Sequence, residues 1–373
     1  MLGYPGQADE SSELWSLKPL QEDFLGGIDP CLNRGFQQMG LPPNPLADRY
    51  TWIRRTTFDL TGLPPSPEEI IDFVEDASDH AYARLIDQLL ASPRYGERWG
   101  RHWLDLVRYA DTAGDAADFP VPEAYKYRNY VIDAFNKDKP YNQFIKEQIA
   151  GDLLPYSNDD NRWEQIVGTG YIAISRRIGV SPHNLKHITI EDTINNLGTT
   201  FMGLTLGCAR CHDHKFDPLP TTDYYALYGI FSSSVYPHAG AEHKPWRDDF
   251  VYRIGQSEAS ELLADKRQIL EEWNRKERVA LEIYRDFQRM KITEPGKTRE
   301  STWANVLAVR EQRREHAESF PDLETAYAIQ EGVPHDAFVQ RGGNPATNAR
   351  GQLVPRGFLK ILGGQKVPEA VTG

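Results

Sequence analysis

Cysteine, positive charge and long apolar runs are all scarce in this chain. Three cysteines in 373 residues are too few for a fold held together by disulfides. No apolar stretch reaches the length of about 20 residues that a membrane-spanning helix needs. Acidic side chains outnumber basic ones by 54 to 42, and the net charge of −12 argues against nucleic acid and anionic membrane surfaces as partners. We therefore expect no membrane span and no nucleic-acid partner.

The remaining composition is that of a folded globular protein. Apolar residues make up 40% of the chain, which contains 8 Trp, 18 Tyr and 15 Phe. A chain of this length buries a large core and is expected to hold two or more substructures. Two of the cysteines, Cys208 and Cys211, lie close together, and the third, Cys31, is expected to be a buried thiol.

Helical periodicity covers most of the chain, and the predicted fold class is mainly α. We predict a multi-helix domain with an inserted long helical hairpin and a small C-terminal β appendage. Four regions follow one another: an N-terminal arm at 1–45, a helical domain at 46–250 that contains Cys208 and Cys211, a charged helical hairpin at 251–320, and a small β-rich segment and linker at 321–373.

Local signals predict the ends of several elements. Ser66-Pro67-Glu68-Glu69 indicates a helix start, with a capping serine, a proline in the first turn and acids at the positive end of the helix dipole. Apolar spacing predicts further helices at 124–136 and 141–151. Alternation of period two predicts strands within 325–329 and 337–340.

The motif Cys208-Ala209-Arg210-Cys211-His212 carries the functional prediction. Cys-x-x-Cys-His is the pattern of covalent c-type haem attachment. The spacing has a chemical reason, because the two thiols add to the two vinyl groups on one edge of the porphyrin. The adjacent imidazole then binds the iron from one face. We predict haem c as the cofactor, with thioethers at Cys208 and Cys211 and with His212 as the proximal iron ligand.

Other chemistry fits the same two cysteines. A Cys-x-x-Cys pair also occurs in thioredoxin-like redox sites and as half of a zinc site. Zinc would need two more ligands, and His214 and a distant histidine would have to supply them. A zinc-binding or interaction module is therefore an open alternative.

Basic residues near the motif and in an upstream helix are candidate partners of the haem propionates. His214 and Lys215 follow the motif directly, and their alternative role is loop structure. Arg101, with Arg98 and Arg108, offers a planar fork that suits a carboxylate. The alternative for these arginines is ion pairing within their own helix.

Four blocks of the sequence resemble one family. They are Arg54–Pro65, Tyr95–Asp105, Arg108–Asp111 and Gly203–Pro218. In these blocks the chain is similar to the planctomycete cytochrome-c-associated domain family, a domain of unknown function in large bacterial secreted proteins. The resemblance covers about 46–235. It implies a haem domain placed outside the cytoplasm, and it names no substrate.

The resemblance also guides the choice of a second axial ligand. His102 lies in the aromatic block and is the first candidate. Its alternative role is that of a helix histidine held by Asp105 or by tryptophan packing. His183 and His187 are further candidates, and an open or water-bound iron is another alternative.

The chain is expected to be a fragment of a longer exported protein. Met1-Leu2-Gly3-Tyr4 leads directly into polar sequence without a signal peptide, although c-type haem is attached outside the cytoplasm. Residues around Arg341-Gly342-Gly343 resemble the linker that precedes a second domain in the family. We therefore expect a periplasmic or otherwise extracytoplasmic location.

The leading functional prediction is an extracytoplasmic c-type haem protein that transfers electrons or supports redox chemistry on a partner protein. Covalent attachment prevents loss of the cofactor outside the cell. One alternative is a haem-dependent enzyme that acts on a polysaccharide or other polymer, by analogy with carbohydrate-active modules that occur beside such families. The zinc-binding or interaction module is the other alternative.

Overall fold

The computed structural model describes residues 27–112, 118, 120–175, 186–237, 250–289, 296–320, 322–365 and 367. Over these residues the chain is mainly helical, and short antiparallel strand pairs occur from residue 234 onward. The predicted fold class is therefore confirmed.

The elements are numbered in chain order. The helices are α1 (Ile28–Met39), α2 (Arg49–Thr61), α3 (Pro67–Glu75), α4 (Ala81–Leu90), α5 (Pro93–Leu106), α6 (Ala124–Asn136), α7 (Tyr141–Ala150), α8 (Asp159–Gly168), α9 (Gly170–Ala173), α10 (Lys186–Leu197), α11 (Thr221–Ser233), α12 (Gln256–Leu262), α13 (Ala264–Gln288) and α14 (Arg299–Glu318). The strands are β1 (Ser234–Val235), β2 (Val251–Tyr252), β3 (Thr325–Ala326), β4 (Gln330–Glu331), β5 (Ala337–Phe338) and β6 (Leu353–Val354).

Sequence signals account for the helix ends in the N-terminal part. Ser66 and Glu69 cap α3 reciprocally: the Ser66 hydroxyl accepts from the Glu69 N–H at 3.2 Å, and the Glu69 carboxylate accepts from the Ser66 N–H at 2.7 Å. Asp48 caps α2 through the N–H of Thr51, and Gly62 ends that helix at φ 73°. Helix α6 has the predicted bounds.

Helices α2, α3 and α4 form an N-terminal helical unit with a small core of its own. Arg49 lies over the Phe73 ring, 4.3 Å from its centroid, and donates to the carbonyl oxygens of Phe73 and Asp76. Helices α2 and α4 pack on α5 and so connect the unit to the rest of the fold. The buried residues of this core are Ile53, Phe73, Ala81, Leu85 and Leu89.

The main core joins helices α5 to α11 to the C-terminal segment. Trp103 on α5 donates its indole N–H to Gln148 Oε1 on α7 at 2.9 Å, and the Tyr127 hydroxyl donates to the same oxygen at 2.6 Å. These buried polar groups are thereby satisfied inside the core. From the far end of the chain, Ala326–Ile329 and Leu359 enter the same core.

Antiparallel strand pairs connect the C-terminal segment to the helical body. Strand β1 follows α11 and pairs with β4, with Ser234 opposite Glu331. Strand β2 pairs with β3, with Val251 opposite Ala326, and β5 pairs with β6. The predicted β appendage therefore shares the main core with the helical domain.

Helices α13 and α14 form the long helical hairpin. They run antiparallel, since the Trp273 ring lies 5.1 Å from His316 and the Tyr284 ring 5.0 Å from Trp303, measured between centroids. The surface of this hairpin is charged, and few of its side chains are buried. The residues that these two helices bury are Leu270, Ala280, Thr302 and Val306.

Helix α1 buries none of its residues. Cys31 lies on this helix and is exposed, so the expectation of a buried thiol is wrong. The reason is that α1 joins neither core, and no residue in the described part of the chain buries Cys31. Among the helices in the described parts of the chain, none combines the length and the apolar character that a bilayer span requires.

Candidate functional site

The motif lies in the segment between α10 and α11. A 3₁₀ turn covers Leu206–Arg210, and Cys211 follows it directly. A 3₁₀ helix has three residues per turn, so residues three apart lie on one side. Leu206 and Ala209 are buried on the inner side, whereas Cys208 and Cys211 are exposed on the outer side. The turn therefore presents both thiols on the same side of the loop.

His212 is exposed beside the two thiols. Its Nδ1 lies 2.7 Å from the carbonyl oxygen of Asp213, so Nδ1 carries the proton and donates to that oxygen. Nε2 then keeps its lone pair. A histidine that ligates a metal through one ring nitrogen typically donates the other N–H to such a carbonyl. The site thus combines two accessible thiols with one imidazole in a tautomer that can bind a metal.

His214, predicted as a propionate contact, is engaged inside the loop. Its Nδ1 accepts from the backbone N–H groups of Phe216 at 3.2 Å and Asp217 at 2.8 Å. Its Nε2 therefore carries the proton and donates to Thr205 Oγ1 at 3.0 Å. The side chain is 7% exposed. Because both ring nitrogens hold the loop in shape, the geometry favours the structural role for His214.

Lys215, the other predicted propionate contact beside the motif, is exposed. Its ammonium nitrogen lies 5.1 Å from the ring centroid of Phe216, which is itself 73% exposed. The outer side of the loop therefore carries a cation and an aromatic ring close in sequence to His212. Both are available to a ligand or a partner that binds at the thiols.

Contacts with other elements hold the backbone of the motif in place. Arg210 forms an ion pair with Glu191 on α10 and donates from Nη2 to the carbonyl oxygen of Gly343 at 2.8 Å. Tyr225 on α11 donates to the carbonyl oxygen of Arg210 at 3.0 Å, and the carbonyl oxygen of Gln340 lies 3.3 Å from the same hydroxyl. Burial raises the pKa of Tyr225 to about 12, so the hydroxyl stays a donor at neutral pH.

Gly343 lies against the Cys211 thiol. A Cβ atom at this position would lie 2.6 Å from Cys211 Sγ and 3.3 Å from Arg210 Nε, and the backbone has φ 72°. Both the close approach and the left-handed backbone require glycine. The segment Arg341–Gly343, which the resemblance implies to be a linker, forms a 3₁₀ turn that packs on the motif.

Sequence reasoning did not single out Arg210, Tyr225 or Gly343. Arg210 occupies a position that the motif pattern leaves open. Gly343 lies 133 residues further along the chain, and the glycine pair at Gly342 and Gly343 signals a turn without indicating what the turn contacts. Only the tertiary structure therefore shows that Arg210, Tyr225 and Gly343 hold the motif in place.

The predicted site residues on α5 lie on its surface. Arg101 and His102 are both exposed, and the His102 ring packs against Trp99 with the centroids 5.5 Å apart. Helix α5 approaches α10 at its end, where the carbonyl oxygen of Leu106 accepts from Asn196 Nδ2 at 2.8 Å. Nothing in the described contacts joins Arg101 or His102 to the motif loop, so their roles stay predictions.

The other candidates on this side have different environments. Arg108 pairs with Asp192 on α10 at 3.2 Å. The alternative role of ion pairing within one helix does not describe Arg108, because α5 ends at Leu106 and the chain turns at Arg108 with φ 59°. His187 lies in α10, and His183 lies outside the described residues.

Within the described ranges, no group of three or more His, Cys, Asp or Glu side chains is arranged to hold a metal ion. A tetrahedral zinc site at Cys208 and Cys211 would need further ligands, which this part of the chain does not bring to them. Covalent haem attachment needs two thiols and one imidazole. Cys208, Cys211 and His212 fit that need in donor type, exposure and tautomer.

The chain matches a known protein family over more than half of its length. Residues 27–236 match the family described as PSCyt2, protein of unknown function DUF1549. The chain belongs to this family. The prediction of a domain-of-unknown-function family is thus confirmed, and the matched residues include α1 to α11 and the motif loop. No curated protein and no solved structure matches the chain.

Proposed function

We propose that this chain binds haem covalently through Cys208 and Cys211, with His212 as the proximal ligand of the iron. One observation carries the proposal: a surface turn exposes both thiols beside an imidazole whose Nδ1 is held by the carbonyl oxygen of Asp213 at 2.7 Å. Thioether formation requires accessible thiols, and iron ligation requires an unprotonated Nε2.

Bound haem would supply a one-electron iron centre, and we propose that the chain uses it to exchange electrons with a partner protein. The residues around the motif support this by keeping the donors in place. Asp213 holds the His212 ring, and Arg210, tied to Glu191 and Gly343, limits movement of the backbone between the thiols. A fixed donor set reduces the reorganisation that accompanies electron transfer.

Arg101, Lys215 and His102 complete the proposal. Lys215 and Arg101 are exposed cations suited to the haem propionates, and His102 is the proposed second axial ligand. His214 is left out because its two ring nitrogens are already hydrogen-bonded within the loop.

The proposal includes an extracytoplasmic, periplasmic-type location, because c-type haem is attached outside the cytoplasm. It also includes the planctomycete, cytochrome-associated character that the sequence resemblance implies. A haem-dependent enzyme that acts on a polysaccharide or other polymer would need the same covalent haem. The first test is therefore whether haem is attached.

The attachment is tested by exporting the full chain in a host that carries the haem-maturation apparatus. We expect an intact mass increased by one haem, colour that survives extraction with acid acetone, and c-type bands in a reduced-minus-oxidised spectrum. Cys208→Ser with Cys211→Ser should abolish the mass increase. Cys31→Ser is the matched control and should keep it, because this exposed thiol lies outside the motif.

The ligands are tested in the loaded protein. His212→Ala should shift the absorption bands through loss of the proximal nitrogen, and His102→Ala should convert a low-spin spectrum to a high-spin one. An unchanged spectrum removes His102 from the proposal without touching the thioethers. A colourless product of unmodified mass overturns the proposal, and stoichiometric zinc in that product supports the zinc-binding module instead.

A further inference from the structure

An aromatic cleft of about 220 Å³ lies between helix α5, the turn that follows α6 and the start of α7. None of the residues that line it belongs to the motif loop, and nothing in the haem proposal uses it. Most of its wall is formed by five aromatic side chains, which are Tyr95, Trp103, Phe135, Tyr141 and Phe144. Such a lining, with few polar groups, is typical of sites for small organic ligands.

The rings of the aromatic cleft stand at steep angles to one another. The Trp103 and Tyr141 centroids lie 6.3 Å apart with 85° between the ring planes, and Trp103 and Phe144 lie 4.8 Å apart at 58°. Trp103 and Phe144 are 7% and 4% exposed, so the core fixes their positions. A flat ligand could stack on only one of these rings. A compact, rounded group can contact several of them at once.

The two charged side chains that line the aromatic cleft differ in their partners. The ammonium group of Lys139 pairs with Glu147, and it lies 3.1 Å from Glu164 Oε1 and 4.6 Å from the centroid of the Tyr130 ring. Asp138 is exposed, and among the described residues no ion pair joins it to a basic side chain. The charge that the cleft offers to a ligand is therefore negative.

Asp138 occupies a backbone position that glycine would adopt with less strain. Helix α6 ends in a Schellman turn, in which the Lys139 N–H donates to the Ala134 carbonyl oxygen at 2.9 Å and the Asp138 N–H to that of Phe135 at 3.1 Å. Asp138 has φ 47°, in the left-handed region. The end of the helix alone therefore does not require a carboxylate at this position in the cleft.

We propose that the aromatic cleft binds a quaternary ammonium group, the trimethylammonium head of a small organic cation. Such a head is compact and rounded, and it is attracted both by aromatic ring faces and by the carboxylate of Asp138. A primary ammonium would lose hydrogen bonds to water that aromatic rings do not replace. An anion is disfavoured because Lys139, the basic residue of the cleft, is already shared by two glutamates.

The test titrates the full chain with choline and follows the indole N–H signal of Trp103 by NMR. Trp273 in the hairpin is the silent reference, because the ammonium group of Lys276 lies 4.0 Å from the centroid of its ring. We expect a saturable shift at Trp103 with a dissociation constant on the order of 1 mM. The alcohol 3,3-dimethyl-1-butanol, which has the shape of choline without the charge, should bind about tenfold more weakly. Ethanolamine should also bind more weakly than choline, because its ammonium group keeps its water.

Variants with matched controls separate the charge from the rings. Asp138→Asn should weaken choline binding about threefold, whereas Asp133→Asn, the same change at an exposed residue of α6 that does not line the cleft, should leave it unchanged. Tyr141→Leu should weaken binding about fivefold. Tyr141 is 59% exposed, so this variant should fold. Tyr125→Leu is its control, because Tyr125 is exposed outside the cleft.

Asp138→Gly distinguishes a role in binding from a role in the turn. Glycine adopts the left-handed backbone of this position without steric strain, so the melting temperature should rise. Choline binding should nevertheless weaken about threefold, because the carboxylate is gone. Opposite changes in stability and affinity are not expected of a residue that only shapes the turn.

Three results would overturn the proposal. The first is the absence of a saturable shift at Trp103. The second is equal binding of choline and 3,3-dimethyl-1-butanol, which would describe an apolar cleft without preference for a cation. The third is unchanged affinity in both Asp138→Asn and Tyr141→Leu. Each of these measurements is independent of haem attachment, because no residue of the cleft belongs to the motif loop.

Discussion

The motif loop and the long hairpin are both polar and both reach the surface, yet they are held in different ways. In the loop the reactive groups are exposed while the backbone is bound by nearly buried side chains, of which Arg210 is 15% exposed. In the hairpin the charges pair mainly with neighbours on the surface. Arg314, with Glu311 and Glu318 as partners, is 63% exposed.

This difference indicates that the backbone geometry of the motif loop is fixed by its interactions and that the charges of the hairpin are not. An exposed ion pair contributes about 0–1 kcal/mol, because water and salt screen it and because two long side chains must be ordered. A nearly buried arginine that bonds a carboxylate and a carbonyl leaves both partners unsatisfied when it is removed. The hairpin therefore tolerates change in its charges, whereas the loop depends on a few distant residues.

The largest effect is expected at the contact between Gly343 and Cys211. Gly343→Ala should cost about 2–4 kcal/mol in the free energy of unfolding, because it combines a left-handed backbone with a steric clash. Gly342→Ala is the matched control, since Gly342 has φ 59° but an open surrounding, and it should cost about 1–2 kcal/mol. Urea denaturation measures both.

A double-mutant cycle sharpens this result. In a Cys211→Ala background the extra cost of Gly343→Ala over Gly342→Ala should largely disappear, because the sulfur that meets the new methyl group is gone. An extra cost that persists in this background would contradict a direct contact between Gly343 and the thiol.

The next effect compares one arginine from each region. Arg210→Met should cost about 1–2 kcal/mol, because Glu191 and the carbonyl oxygen of Gly343 lose their partner in a partly buried place. Arg314→Met in the hairpin should cost less than about 0.5 kcal/mol. Similar costs for the two variants would erase the distinction between the regions.

A smaller effect is expected from Tyr225→Phe, which removes the donor to the Arg210 carbonyl oxygen and should cost about 1 kcal/mol in the free energy of unfolding.

The pH dependence of stability follows from the raised pKa of Tyr225, about 12 against an ordinary value of 10.0. Between these values the folded protein holds the proton more tightly than the unfolded one. Stability from this group is thus full below pH 10 and is lost as the pH rises toward about 12.

The measurement is the slope of unfolding free energy against pH over that range, which should be flatter in Tyr225→Phe. Tyr284→Phe in the hairpin is the control for stability, because its hydroxyl accepts from the side-chain amide of an exposed glutamine, Gln288. If the slope in Tyr225→Phe is identical to that of the unsubstituted protein, Tyr225 does not hold the motif backbone in the proposed way.

Much of the fold was predictable because its signals are local. The capping box at Ser66 and Glu69, the bounds of α6 and the charged hairpin all depend on residues within a few positions of one another. Arg108 shows the limit of such signals. Its spacing from nearby acids allows pairing within one helix, but the turn at Arg108 brings its guanidinium to Asp192 on another helix.

The sequence by itself determined the helical class, several helix ends and the two thiols with their neighbouring histidine, because each depends on residues close together in the chain. Only the tertiary structure decided what holds the backbone of that motif in place. Gly343 and Tyr225 contact the motif from distant segments of the chain. No local pattern specifies such contacts, because they form only when the core brings those segments together.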